Sequence, residues 1–230
     1  MQSLPVNEIF YSLQGEGGQM GRAMLFVRLS GCNLACDYCD TDFAGHRLMT
    51  VAEILAKLES YPCRDILWTG GEPTLALREE HIAFFHEQGY RQSIETNGTR
   101  PVPRGLDYVT CSPKAEAISG LRERFVDNYP NGIDEVRWPL QLGAPLPPPI
   151  EQLVQARRYY VSPVEETGVE MSAVVARCMD FVLAHPEWRL SVQLHKLLGF
   201  RQVNGLLCMS RRHIFAGCSC YSCALWRSVA

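Results

Sequence analysis

"LSGCNLACDYCDTDF", running from Leu29 to Phe43, places Cys32, Cys36 and Cys39 in a C-x3-C-x2-C spacing. A structural zinc site closes with four ligands, and iron–sulfur clusters are commonly held by four thiolates. This loop offers three. A four-iron cluster held here would keep one iron with an open coordination position, the feature that separates a reactive metal centre from a structural one. The residues alone leave another option open, a structural zinc completed by a distant thiol such as Cys63 or Cys111. Three unrelated core thiols fit poorly with a loop that also carries Asp37, Asp40 and Asp42. Immediately upstream, "MLFVRLS" (24–30) is a short strand candidate closed by Gly31, so the cysteines follow a strand end.

Outward from that loop the chain alternates strands with helices. "TVAEILAKLESY" (50–61) has helical periodicity, with Thr50 and Glu53 as a capping box. "DILWTG" (65–70) reads as a strand and "LREEHIAFFHEQG" (77–89) as a helix stopped by Gly89. "YRQSIETNG" (90–98), "LDYVTCSP" (106–113) and "DEVRWPLQ" (134–141) are further strands, and "PLPPP" (145–149) is a stiff connector. Then come a strand at "RRYYVSP" (157–163), a helix at "VEMSAVVARCMDFVLAH" (169–185) ended by Pro186, and a last strand at "WRLSVQLH" (188–195). The pattern predicts an α/β fold of parallel βα units. With about six units it is a partial, open βα barrel rather than a closed eight-fold one. In such barrels chemistry collects at the carboxyl ends of the strands. The polar and glycine-rich clusters do follow strands: the cysteine loop, "TGGEP" (69–73), "ETNGT" (95–99), "CSPK" (111–114), "SPVE" (162–165) and "HK" (195–196).

The bulk composition bounds the rest. In 230 residues, 47% apolar and 20% charged, there is ample core for one large domain or two small ones. A net charge of −3 gives no reason to expect nucleic acid as a partner. The first ten residues lack a basic and then apolar leader, and no run approaches the roughly eighteen apolar residues of a membrane span. A cytoplasmic protein is expected, its ten cysteines thiols or metal ligands rather than disulfides. Cys178, on one apolar helical face with Val174 and Val182, reads as a small buried hydrophobe.

The cysteine spacing, with Tyr38 just before the last cysteine, and "TGGEP" after the next strand resemble the radical S-adenosylmethionine (SAM) enzymes. The resemblance implies a [4Fe-4S] cluster on Cys32, Cys36 and Cys39. Its open iron takes the amino and carboxylate groups of SAM, and an electron from the cluster breaks a carbon–sulfur bond. The resulting 5′-deoxyadenosyl radical abstracts hydrogen from substrate.

"NEIFYSLQGEGGQMGRAMLFVRLSGCNLACDYCDTDF" narrows the likeness, together with "TGGEP", "ETNGT", "CSPK" and "LSVQLHKLLGFR". Over roughly residues 6–201 the chain resembles the 7-carboxy-7-deazaguanine synthases. Those enzymes convert 6-carboxy-5,6,7,8-tetrahydropterin to 7-carboxy-7-deazaguanine with ring contraction and loss of ammonia, a step toward queuosine and related 7-deazapurines. The resemblance implies substrate contacts at Leu13, Gln14, Gly15, Arg28, Thr69 and His195, with Arg28 on the substrate carboxylate. It implies magnesium at Thr41, and SAM contacts at Tyr38, Cys39, Asp40, Gly71, Ser112, Pro113 and Lys114. Roles for Glu95, Thr96 and Asn97 on the same mouth stay open. A small pterin substrate, a homodimer and an electron donor such as a flavodoxin or ferredoxin are the partners expected, with no nucleic acid and no membrane.

Residue by residue the stretches are also open to plainer readings: a simple turn at 13–15, an ion pair at Arg28, a cap at Thr41, a structural histidine at His195. The chain departs from the family in two places. Ser162 stands where glutamine is expected, so it receives no role. Residues 202–230 extend past the usual end and hold Cys218, Cys220 and Cys223, with His213 upstream. The division expected is a catalytic domain over 1–201 and an extension of unknown role over 202–230. Two other functions compete. An activase that makes a radical on a partner protein would have no use for a pterin-shaped, magnesium-lined pocket. A non-catalytic iron–sulfur or zinc module would leave "TGGEP" and "CSPK" without purpose.

Overall fold

The structure is a computed structural model that describes residues 1–39, 45–115 and 118–198. Asp40, Thr41 and the extension with Cys218, Cys220 and Cys223 lie outside the described residues. The strands are β1 (Leu4–Leu13), β2 (Ala23–Leu29), β3 (Arg47–Met49), β4 (Asp65–Gly70), β5 (Arg91–Thr96), β6 (Tyr108–Cys111), β7 (Ile133–Leu140), β8 (Ala156–Pro163) and β9 (Trp188–Leu190). The helices are α1 (Val51–Leu58), α2 (Glu79–Glu87), α3 (Glu123–Val126), α4 (Met171–Ala184) and α5 (Leu194–Leu198). All nine strands form one sheet in the order β3-β1-β2-β4-β5-β6-β7-β8-β9, open at both edges.

From β2 through β9 the pairings are parallel. Here the alternating pattern carried the fold, as expected. β1 and β3 are antiparallel additions that the pattern did not predict. In β1 the register slips between Val6 and Glu8, so the alternation that would announce a strand is broken. β3 has three residues, too few for any period. The crossovers from β5 to β6 and from β7 to β8 contain no α-helix.

The last segment needs correcting. "WRLSVQLH" is not one strand. β9 stops at Leu190, Ser191 N–H still donates to Val161 (2.9 Å), and the Ser191 hydroxyl accepts from Gly17 N–H (2.9 Å). With its backbone and side chain both committed there, the chain turns, and His195 lies on α5.

Each parallel strand sorts its residues by face with period two. Ile66, Trp68, Ile94, Val109, Val136, Trp138 and Val161 join the outer core, where they meet Ile54 and Leu58 of α1, Ile82 and Phe85 of α2, and Cys178 and Phe181 of α4. Cys178 is fully buried there, as expected. On the opposite face the apolar part is small: Phe10, Met24, Phe26 and Leu67, with Phe10 stacked on Phe26 at 4.7 Å. The rest of that face is polar, with Ser93, Glu95, Thr110, Glu135, Arg137 and Ser162. The fold thus places its hydrophobic weight outside and leaves a polar interior for ligands.

Two helix ends follow from sequence directly. At α2, Gly89 adopts a left-handed φ of 79°, its N–H donating to His86 and that of Tyr90 to Phe85. At α1, Thr50 Oγ1 accepts from Glu53 N–H (3.2 Å) and the Glu53 carboxylate accepts from Thr50 N–H (2.8 Å). Thr50→Ala is expected to cost about 1 kcal/mol, lowering the melting midpoint by roughly 2–4 °C in a thermal melt.

Candidate active site

The polar interior opens into a cavity of about 980 Å³. Segments at and beyond the carboxyl ends of the parallel strands line it: the cysteine loop after β2, Gly70 at the end of β4 and Gly71 after it, Asn97 after β5, and Ser112 and Lys114 after β6. Pro139 comes from β7 and Gln141 from just beyond it, residues 162–168 from β8 and the loop beyond it, and Gln193, His195 and Lys196 from the segment after β9. The carboxyl-end clusters meet in one place, as a barrel of this kind requires.

Cys32, Cys36 and Cys39 share one wall. Their loop is tied down by Cys39 N–H to Cys36 O (3.2 Å) and Leu34 N–H to the Cys32 sulfur (3.4 Å). Burial pushes the Cys36 thiol up, with the Lys114 charge working the other way. Three thiols on one wall suit a cluster with three protein ligands. Neither thiol named for the zinc alternative is placed to supply its fourth ligand. Cys63 sits at the opposite end of the strands, bonded to Ala23 O and Asp65 N–H at 3.4 Å each. Cys111 is fully buried in the outer core, where its thiol is pushed far above the usual range by burial first and Glu72 second.

Against the cysteine loop lies the turn after β4. Gly71 N–H donates to Leu29 O (3.0 Å) and Glu72 N–H to Gly31 O (2.9 Å). A Cβ at Gly71 would overlap the Gly31 carbonyl, so only glycine lets the two backbones pack this closely. Lys114 reaches back across the mouth, 3.1 Å from Ser112 Oγ and over the Tyr38 ring at 5.7 Å. Burial lowers its affinity for a proton, while the Cys36 and Cys111 thiols favour the charge. Pro113 is buried behind these residues.

The floor comes from an unexpected source. The β1–β2 connection, Gln14–Arg22, folds into the interior instead of staying at the rim. Gln14 Nε2 donates to Glu95 (3.0 Å), Gly18 N–H to Glu135 (2.8 Å) and Gln19 Nε2 to Ser93 (3.1 Å). Gly15 O accepts from Leu194 N–H (3.0 Å), which brings His195 alongside the same loop. Gln14, Thr69, Arg28 and His195 line the cavity; Leu13, paired in β1 with Ala23, and Gly15, whose carbonyl accepts from Leu194 N–H, do not. Arg28 Nε bonds Glu8 (2.8 Å), and Phe10 lies under the guanidinium at 5.9 Å. Ser162 Oγ is buried against the cavity with no hydrogen-bond partner among the described residues.

At the centre of the floor sits a residue the sequence reading passed over, Arg137. Its guanidinium bonds Glu16, Glu95 (3.0 Å) and Glu135 (2.7 Å). Burial works against its charge, but the Glu95, Glu135 and Glu16 carboxylates outweigh it and hold the proton well above the ordinary range. The available signal was Glu135 and Arg137 two apart in a strand, hence on one face, opposite Val136 and Trp138.

Residues 26–135 match the Radical SAM superfamily. The 7-carboxy-7-deazaguanine synthase of Bacteroides thetaiotaomicron is 40% identical over 196 residues, covering 85% of this chain and 98% of that protein. The synthase of the same name from Neisseria meningitidis serogroup B is 38% identical over 202 residues, covering 84% and 92%. The crystal structure of QueE from Escherichia coli superposes with a TM-score of 0.61 at 26% identity, covering 84% of this chain and 95% of that one. The chain belongs to the 7-carboxy-7-deazaguanine synthase family of the radical SAM superfamily.

Proposed function

We propose that the chain converts 6-carboxy-5,6,7,8-tetrahydropterin to 7-carboxy-7-deazaguanine with loss of ammonia, in the making of queuosine and related 7-deazapurines. The observation that carries this is that one cavity has the three cysteines on its wall and an amide–carboxylate floor beneath. When bound, a [4Fe-4S] cluster and SAM supply a radical that removes one hydrogen atom from substrate.

The chain's own work is to hold and orient. Cys32, Cys36 and Cys39 would hold the cluster. Tyr38, Cys39, Asp40, Gly71, Ser112, Pro113 and Lys114 would hold SAM. Gln14 and Thr69 offer donors and acceptors suited to the amino–amide edge of a pterin, with Leu13 and Gly15 beside them as further substrate contacts and His195 closing the same side. Arg28, its plane fixed by Glu8, is the partner for the substrate carboxylate. Thr41 is the candidate magnesium ligand, a role consistent with magnesium's preference for few protein ligands completed by substrate oxygens. A homodimer, a flavodoxin or ferredoxin as reductant and a cytoplasmic location belong to the same reading. So does the division into a catalytic domain over 1–201 and an extension over 202–230. No helix among the described residues is long and apolar enough to cross a membrane.

The direct test is anaerobic reconstitution followed by incubation with SAM, dithionite, magnesium and the carboxytetrahydropterin. Deazaguanine product is expected. Its absence with a well-loaded cluster overturns the substrate, and absence of 5′-deoxyadenosine as well overturns radical chemistry. Arg28→Ala is expected to raise KM about 30-fold, the worth of one charged hydrogen-bonded contact, while the cluster's absorbance stays unchanged. Loss of the cluster in that variant would make Arg28 structural.

A further inference from the structure

The cavity floor contains a charge device that the reading above leaves unused. Glu135 and Arg137 project from the same face of β7, both deeply buried. Glu135 is saturated. One oxygen accepts from Arg137 Nε (3.1 Å) and Nη2 (2.7 Å), and the other from Tyr108 Oη (2.8 Å) and Gly18 N–H (2.8 Å). A carboxylate so bound has nothing left for a ligand and acts as an anchor. Arg137 extends from it to two further carboxylates on different elements, Glu16 of the floor loop and Glu95 of β5. Those two do line the cavity. Glu95 also accepts from Gln14 (3.0 Å) and Thr69 (3.3 Å), both assigned above to substrate.

We propose that Arg137, anchored by Glu135, is a positioning residue that fixes Glu16 and Glu95 as paired acceptors for the donor edge of the bound pterin. The inference rests on the pterin reading of this cavity. Without the guanidinium, two carboxylates would face one cavity with their mutual repulsion poorly screened. With it, they are held in place before substrate arrives, and the cost of ordering them is met in folding. The fork geometry matters: Nε, Nη1 and Nη2 each face a carboxylate, a spread that a lysine's single nitrogen does not reproduce. The floor loop is pressed onto the same anchor. A Cβ at Gly17, whose φ is 64°, would overlap the Glu135 carboxylate, which is how a glycine-rich loop delivers Glu16 to this point.

The test is equilibrium dialysis of 6-carboxypterin, which carries the same amino–amide edge and carboxylate, against the full-length, anaerobically reconstituted protein. Steady-state turnover runs in parallel. Arg137→Ala is expected to weaken binding about 30-fold or more, in keeping with truncating one partner of a buried charge pair. The loss should appear in KM and in 5′-deoxyadenosine formed without product. Arg137→Lys is expected to bind about 10-fold more weakly than the parent. Millimolar guanidinium should restore binding to Arg137→Ala, because it refills the vacated position. If both variants bind as tightly as the parent, the inference fails and the pterin reading stands. If only the folded fraction falls while affinity per folded molecule is unchanged and guanidinium does nothing, Arg137 is structural and the inference also fails. Should Arg137→Ala not fold, Arg137→Lys decides by its affinity. If the unaltered protein binds no pterin, the reading of the cavity falls, and the inference with it.

Discussion

Gly71→Ala is expected to reduce 5′-deoxyadenosine formation by about 100-fold or more, a loss typical of reacting groups displaced by an ångström. It should also leave the reconstituted protein with well under half its normal iron. The reason is steric and local. The added methyl would overlap the Gly31 carbonyl and press on Cys32 N. Neither side can yield cheaply, because Gly71 N–H is bonded to Leu29 O and Glu72 N–H to Gly31 O. The backbone that must move is the one that leads into Cys32. The variant therefore attacks the cofactor cradle and the cysteine loop together, although residue 71 ligates nothing. Iron content, cluster absorbance and 5′-deoxyadenosine yield measured on one preparation check it. Full iron with lost activity would place the damage on the cradle alone, and no change in either would refute the packing argument.

That coupling explains why so much of the site was legible from sequence. Cys32, Gly71, Ser112 and Lys114 all follow strands whose apolar runs are easy to read, and a parallel sheet brings its carboxyl ends together. Once those strands are placed, the wall of the cavity follows. The floor does not. Gln14 and Glu16 lie in the connection of an antiparallel pair whose first strand is masked by a register slip at Val6 and Glu8. Local pattern gives no reason for that connection to fold inward. Its destination is set by partners 70 to 180 residues away: Ser93, Glu135 and Ser191. Arg137 was missed for a related reason. Taken singly, a charged residue in a strand reads as a solvated face, and its meaning appears only with Glu16 and Glu95 beside it. Likewise His195 was expected at a strand end and arrives instead on a short helix, after Ser191 has spent its backbone and hydroxyl on holding β8 and the floor loop. What sequence conveys well here is periodicity and spacing. What it conveys poorly is the long-range polar contact.

The largest stability effect is expected at Glu72, the acidic residue of "TGGEP". Its side chain is 1% exposed and accepts four hydrogen bonds: from Thr74 N–H (3.0 Å), Thr74 Oγ1 (2.6 Å), Thr96 Oγ1 (2.8 Å) and Asn97 N–H (2.7 Å). These bonds fasten the turn after β4 to the end of β5. From there the chain of contacts continues, since Asn97 Nδ2 donates to Asn33 (3.1 Å) and Asn33 to Thr99 (2.8 Å). Glu72 thus braces the cysteine loop from behind. Glu72→Ala removes one acceptor group and orphans four buried donors, two backbone N–H groups and two threonine hydroxyls. The expected cost is about 3–5 kcal/mol, or roughly 10 °C in melting midpoint for a chain of this size. Glu72→Gln keeps the volume and separates charge from shape. Three donors converge on Oε1, so the amide oxygen would take that side and leave its NH2 facing Asn97 N–H. Loss of the charge-assisted bonds and one donor–donor clash together should cost about half as much as the alanine. Anaerobic thermal melts followed by circular dichroism measure both. Equal losses in the two variants would mean that charge decides everything at this position; a glutamine that melts like the parent would mean the carboxylate is only a spacer.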